Sequence, residues 1–423
     1  MPTDLVPAAV GSAPAVRRRA EPDVRTATGA RLTAAAARRL ADSVPKNSYD
    51  ARSSRWRSFT QWCAAYGWAT DEPNAVVSYL ADLADRGHPA KVLESHLGTL
   101  RALRAVKEVP LSDAEVKACL AVVRHRAGEE ADDPDLEPGP LQADAVDLDE
   151  LRQMLRTLNR TTVRGTRDAA VLLVDFWMAG RASEPARLNL HDAKITTVKV
   201  KDTAGKKVPR RALIIKIRRS KADQHARGQE VRILAREDDQ ELCPVHALEQ
   251  WLAVLAADGQ LTSGPLLRRI DRHGNIGAKA AGRPTRDARR RGGITADTVN
   301  DIIKTAARAA ELTPTPTAEE QAAAARARQE AYAAAATAPT AEAANAVLKT
   351  WRAGVRAARR AVRRITGHSL RRGWIQAALA AGAPPETVAA HSRHSLRSSA
   401  FDAYRNKTIP WSQNPTLLLG LAA

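Results

Sequence analysis

Apolar residues recur at helical spacing from about residue 45 onward. Tyr49, Trp56, Phe59, Cys63 and Tyr66 fall three, four or seven apart, which places them along one stripe of a helix. A second helix is predicted to open near Pro73, with Asp71 as its cap and Val76, Val77, Leu80 and Leu83 inward. A third carries Leu93, Leu97, Leu100 and Leu103. The fourth opens with Ser112-x-x-Glu115, a capping box, and is expected to bury Val116, Leu120 and Val123. Four short helices in about 80 residues predict a small all-α domain over residues 45–128.

The pattern changes on either side of this domain. Residues 1–44 are rich in Pro, Ala and Arg and read as a flexible N-terminal tail, with a short helix around 34–40. The acidic run EEADDPDLEPGP opens a linker assigned to 129–146. A second domain is assigned to 147–404. Helices are predicted over 148–158 and 166–178, before three β-branched runs at 195–200, 212–219 and 230–234 separated by turn residues. Helix returns at 244–256, basic loop material spans 268–291, and another helix covers 295–309. An Ala-rich block at about 313–364 reads as two helices broken at Pro339. Residues 405–423 form a C-terminal tail in which Trp411 and Leu417 to Leu419 are available for docking.

Charge narrows the partners. The chain has 423 residues, enough for two domains with real cores. Its formal charge is +19 and its pI near 10.4, which calls for a polyanion: nucleic acid or an anionic membrane surface. No apolar run approaches the roughly 20 residues that span a bilayer, so no membrane role is expected. The first residues, with Asp4 and several prolines, are not expected to act as a signal peptide. Cys63, Cys119 and Cys243 are odd in number and far apart, which argues against a disulfide scaffold or a Cys-x-x-Cys zinc site and fits a reducing cytoplasm. Abundant Ala and Arg also mean that part of the charge reflects composition bias. Charge alone decides nothing.

The chemistry is concentrated late in the chain. TGHSLRRGWIQAALAAG holds His368 and Arg371 at i and i+3, on one helix face, where both can address one phosphate. PPETVAAHSRHSLRSSAFDAY ends in Tyr404, ten residues after His394. FWMAGRASEPARLNL places Arg181 just after a helix end with Glu184 three residues on. IRRSKADQHARGQEVRI carries a hairpin signal with Lys221 at the turn. The order Arg, hairpin Lys, His-x-x-Arg, His, Tyr resembles the catalytic set of the tyrosine recombinase (phage integrase) family, over about Asp147 to Tyr404. More loosely, the four-helix segment resembles that family's core-binding domain.

The resemblance implies a mainly α chain with a small β-sheet: a helical core-binding (SAM-like) domain plus a mixed α/β catalytic domain, the two clamping duplex DNA. It implies a site-specific recombinase or integrase that cleaves and rejoins DNA through a 3′-phosphotyrosine, with Tyr404 as nucleophile. Arg181 and Arg371, forked and permanently charged, suit the non-bridging oxygens. The resemblance further implies His394 as a third phosphate donor, His368 as a proton-moving group at the tyrosine, Lys221 as general acid and Glu184 as a supporting carboxylate. No metal or other cofactor is expected. Double-stranded DNA, a homo-tetramer on paired sites and an accessory or directionality protein are the implied partners. The implied setting is a cytoplasmic, nucleoid-associated protein of a bacterium, phage or mobile element.

Each residue also has a plainer reading. Arg181 is a natural cation for a helix C-terminus, Glu184 a first-turn carboxylate, and His368 with Arg371 an exposed helical pair. Tyr404 reads equally as a core aromatic, and His391 with His394 lacks the further ligands a metal site needs. The stripe of Arg352, Arg356, Arg359, Arg360 and Arg363 reads first as a solvated helix face. Its position directly before His368 keeps a DNA-binding role for Arg352, Arg356, Arg359 and Arg363 in view. Arg393 stands where the family usually has Gly. That departure motivates one alternative, a catalytically impaired DNA-binding regulator of the same fold. A type IB topoisomerase-like enzyme is another, and a metal-dependent nuclease built on Asp168 and Asp175 a third.

Overall fold

The structure, a computed structural model, describes residues 24–25, 31–33, 35, 39, 46–106, 109–132, 142–201, 205–218, 228–280 and 292–405. The short helix expected over 34–40 falls largely outside them, as do Lys221, most of the expected linker's acidic run and the tail after residue 405. The chain divides into two units, Met1–Pro140 with Glu319–Arg359, and Leu141–Ala318 with Arg360–Ala423.

In the first unit a two-residue antiparallel ladder, β1 (Val24–Arg25) with β2 (Arg31–Leu32), precedes four helices. These are α1 (Lys46–Tyr66), α2 (Ala75–Asp85), α3 (Ala90–Val106) and α4 (Asp113–Asp132). The predicted stripes meet as one core around Phe59, Trp62, Val76, Tyr79, Leu80, Leu93 and Leu100. Three local expectations shift. The buried row of α4 runs Glu115, Cys119, Val123, Arg126, which leaves Leu120 44% exposed. The polar members of that row are satisfied inside. Glu115 accepts from the backbone N–H groups of Asn74 and Ser112, each at 2.9 Å, and Arg126 donates to His88 O at 3.0 Å. The cap of α2 is Asn74 rather than Asp71, whose carbonyl instead accepts from Arg104 at 2.8 Å. Finally, α4 continues to Asp132, so Glu129 is helical and pairs with Arg126 at 2.7 Å rather than opening the linker.

The Ala-rich block forms α9 (Ala318–Ala336) and α10 (Ala341–Arg360), numbered after the second unit's first four helices. It joins the first unit instead of inserting into the second. Asn345 accepts from Arg86 Nε at 3.2 Å and donates to Asp82 at 3.3 Å, while Arg352 donates to Arg86 O. Gly87, at φ 76, admits the approach: a Cβ there would stand 3.0 Å from Lys349 Cα.

The second unit holds α5 (Leu148–Arg156), α6 (Val163–Trp177), α7 (Pro244–Ala257) and α8 (Ala296–Ala309). After the Ala-rich block come α11 (Gly367–Ala380), α12 (Pro385–Ser392) and α13 (Ser399–Arg405). An antiparallel sheet β3-β4-β5 runs Ala193–Lys201, Lys207–Ile217 and Gln229–Leu234. The fold is mainly α with a small β-sheet, as the apolar pattern predicts. Helix α6 is the axis of this unit: every residue from Ala169 to Phe176 is buried. Gly373 on α11 is pressed so close to the chain at Val146 that a Cβ would lie 1.7 Å from Val146 O. Among the described residues no helix is long and apolar enough to cross a membrane.

Candidate active site

The site grows from the C-terminal end of α6. A helix leaves its last carbonyls without intrahelical partners and concentrates partial negative charge there. Here the chain turns sharply, with Ala179 at φ 46, and the end carbonyls accept from other elements. Trp177 O accepts from His391 Nε2 at 2.9 Å, Met178 O from Arg393 at 2.9 Å, and Ala179 O from both Arg371 at 2.6 Å and Arg393 at 2.8 Å. Four contacts from α11 and the end of α12 thus gather on one helix terminus. Arg181 follows directly, its backbone N–H on Glu184 at 3.0 Å and its guanidinium on the same carboxylate at 2.9 Å.

Helix α11 supplies the next pair. Thr366 caps it, Gly367 N donates to Asn300 at 2.8 Å, and no acidic side chain lies in its first turn. Arg371 is fully buried, and besides Ala179 O it donates to Ser392 O and lies 3.1 Å from His394 Nε2. Ser392 Oγ donates to Val388 O at 2.7 Å and lies 2.9 Å from His394 Nδ1. Tyr404 rides on α13, packed with Ile375, Val388 and Phe401. Its hydroxyl sits 3.4 Å from His368 Nε2, its ring centroid 5.6 Å from that of His394, and the Arg372 guanidinium lies 5.7 Å over it. Arg181, Glu184, His368, Arg371, His394 and Tyr404, drawn from four stretches of sequence, therefore converge within the second unit.

No family model matches the sequence. Over 263 residues the chain is 28% identical to an integrase/recombinase XerD homolog of Selenomonas ruminantium, an alignment covering 59% of this chain and 67% of that one. The sequence is therefore similar to that of a bacterial integrase/recombinase. Two solved structures align at low identity. One is the Tn1549 transposon integrase in complex with transposon right end DNA, with TM-score 0.48, 11% identity, 92% of this chain and 98% of that chain. The other is the XerA recombinase, with TM-score 0.32, 13% identity, 88% of this chain and 99% of that chain.

Electrostatics set the resting state of this site. Desolvation by its surroundings lowers His368 to about 4, helped by the guanidiniums of Arg371 and Arg181, although the residue as a whole is exposed. The same causes lower His394 to about 3. Burial raises the Tyr404 phenol, and Arg371, Arg372 and Arg181 pull it back. At neutral pH both imidazoles are therefore neutral and the phenol keeps its proton. Glu184 is held below the ordinary carboxylate range: burial alone would raise it, and Arg393 with Arg181 overcomes that.

Some residues of the candidate site are invisible to motif reading. Asp175 is completely buried on α6, and neither carboxyl oxygen has a hydrogen-bond partner among the described residues. A Cβ on Gly180 would stand 2.1 Å from its Oδ1, so that glycine is needed because Asp175 is beneath it. Burial, then Glu184, pushes Asp175 up to about 8. The signal available in the sequence was one charge inside the apolar run VLLVDFWM. In the unfolded chain the carboxyl ionises near 3.8. The bound proton therefore stabilises the fold fully below that value, and the benefit drains away as pH rises toward 8. Asp175→Asn cannot ionise, so its melting temperature should climb relative to the parent between pH 5 and pH 8. A difference that stays flat across that range in thermal unfolding would mean the buried carboxyl is already charged.

The remaining assigned residues lie elsewhere. Arg352 and Arg356 are half-buried and bind Arg86 O and, at 3.5 Å, Glu130, while Arg359 is exposed. Helix α10 ends at Arg360, so Arg363 is off the stripe and pairs with Glu150. Asp168 is taken up by Arg167, and among the described residues no cluster of three or more potential metal ligands occurs. His391, stacked on Trp374 at 4.0 Å, is occupied by Trp177 O.

Proposed function

We propose that this protein is a site-specific recombinase or integrase of the tyrosine type, which cuts and rejoins duplex DNA through a covalent 3′-phosphotyrosine at Tyr404. The observation that carries the reading is the Tyr404 hydroxyl 3.4 Å from a neutral His368 Nε2, in a site that also holds Arg371 and Arg181. The net charge of +19 supports a polyanionic substrate. In this reading Arg181 leaves part of its hold on Glu184 to grip a non-bridging oxygen, with Arg371 and His394 as the other donors. The arriving phosphate raises the basicity of His368, which takes the phenolic proton as Oη attacks phosphorus. The P–O5′ bond breaks, a 3′-phosphotyrosyl bond forms, and the 5′-oxygen collects a proton from Lys221, on the segment joining β4 to β5. Attack by a 5′-hydroxyl reverses the sequence, so the phosphodiester energy is kept and rejoining needs no nucleotide cofactor. The first unit is assigned as the core-binding domain, and exchange between two sites requires a tetramer.

Covalent capture tests this reading. The full chain is incubated with sheared genomic DNA of its source in EDTA and denatured, and the attached DNA is sequenced. Adducts should map to Tyr404 by mass spectrometry and share a recurrent junction. Absence of adducts, or attachment through another residue, overturns the proposal.

A further inference from the structure

Arg393 occupies a backbone position that disfavours any side chain. It is the C-cap of α12 at φ 60, in the left-handed region, where glycine is the comfortable residue. A residue with a Cβ persists there only if its surroundings over-determine it. They do. The side chain is 5% exposed, and its two terminal nitrogens make four hydrogen bonds. One nitrogen donates to Met178 O at 2.9 Å and His391 O at 2.8 Å, the other to Ala179 O at 2.8 Å and Glu184 at 2.7 Å.

Two of these partners have a second duty, and the chain neighbour has a third. Ala179 O also holds Arg371, Glu184 also holds Arg181, and the next residue after Arg393 is His394. A single guanidinium thus ties together the supports of three groups assigned to the phosphate, from behind and out of solvent. We infer that Arg393 is a positioning residue for DNA cleavage, holding Glu184 and the α6 terminus so that Arg181, Arg371 and His394 face one phosphate. This role builds on the function proposed above.

The electrostatic consequence is specific. Glu184 divides one carboxylate between Arg393 and Arg181. Without Arg393 the whole carboxylate falls to Arg181, which is then drawn away from the phosphate. A purely structural cap would show no such dependence on the charge of Glu184.

The test uses the full chain and a nicked duplex bearing the junction recovered by covalent capture. Arg393→Gly suits the backbone and should bind that duplex within about twofold of the parent, yet form the Tyr404 adduct about 100-fold more slowly. Adding Glu184→Gln to it should restore the rate by about tenfold, whereas Glu184→Gln alone should slow it. Arg393→Lys, which keeps the charge but not the fork, provides a second measurement if the glycine variant folds poorly, and should cleave about tenfold more slowly at unchanged affinity. Adduct formation by Arg393→Gly at the parent rate, or simple additivity with Glu184→Gln, overturns the role of Arg393 alone. A parent chain that yields no adduct overturns the function and this role with it.

Discussion

Tyr404→Phe is expected to abolish covalent capture, a loss on the order of 10⁴-fold or more, because the proposed reaction takes its attacking oxygen from this hydroxyl. DNA affinity should change by less than about twofold, since the phenyl ring still fills the space among Ile375, Val388 and Phe401. Stability should fall by no more than about 1 kcal/mol, the ordinary worth of one hydrogen bond. The hydroxyl's contact with His368, at 3.4 Å, is a long one. Cleavage on the nicked duplex and thermal unfolding, measured side by side, check both halves. Persistent adducts in this variant would remove Tyr404 from the mechanism, whatever became of the fold.

Arg371 and Arg181 should separate catalysis from stability. Arg371 is fully buried and donates to Ala179 O, just past the end of α6, and to Ser392 O, at the end of α12. Arg371→Ala would take this donor from Ser392 O, leave Ala179 O to Arg393 alone and open a cavity, so a stability loss of about 3 kcal/mol or more should accompany a cleavage loss of about 10³-fold. Arg181 differs. Its side chain is 23% exposed and its side-chain partner is Glu184, which keeps Arg393 if Arg181 is removed. Arg181→Ala should lose a similar factor in cleavage while unfolding within about 1 kcal/mol of the parent. Equal melting losses for the two variants would show that Arg181 also holds the turn together.

Much of this was legible locally. The stripe through Trp56, Phe59 and Cys63, the Ser112-x-x-Glu115 cap and the β-branched runs of the sheet each announce an element, because helix and strand periods depend on near neighbours. The Ala-rich block is different. Its two helices and the break near Pro339 follow from composition, but its attachment depends on Asn345 meeting Asp82 and Arg86, more than 250 residues earlier. Nothing in its own stretch points there. Cys119 rather than Leu120 turns inward for a similar reason: Glu115 and Arg126 have buried partners on other elements, and they set the rotation of α4.

The order of Arg181, His368, Arg371, His394 and Tyr404 is a property of the chain, and with it the family's chemistry could be expected before any coordinates. Their convergence is not. It depends on the terminal carbonyls of α6 receiving donors from α11 and the end of α12, and on a carboxylate divided between two arginines. Sequence also records Arg393 as a departure and Asp175 as a stray charge, whereas the fold gives one four hydrogen bonds and keeps a proton on the other. Residue types and periodicity are local quantities; burial, protonation and shared partners arise only when distant segments exclude water together.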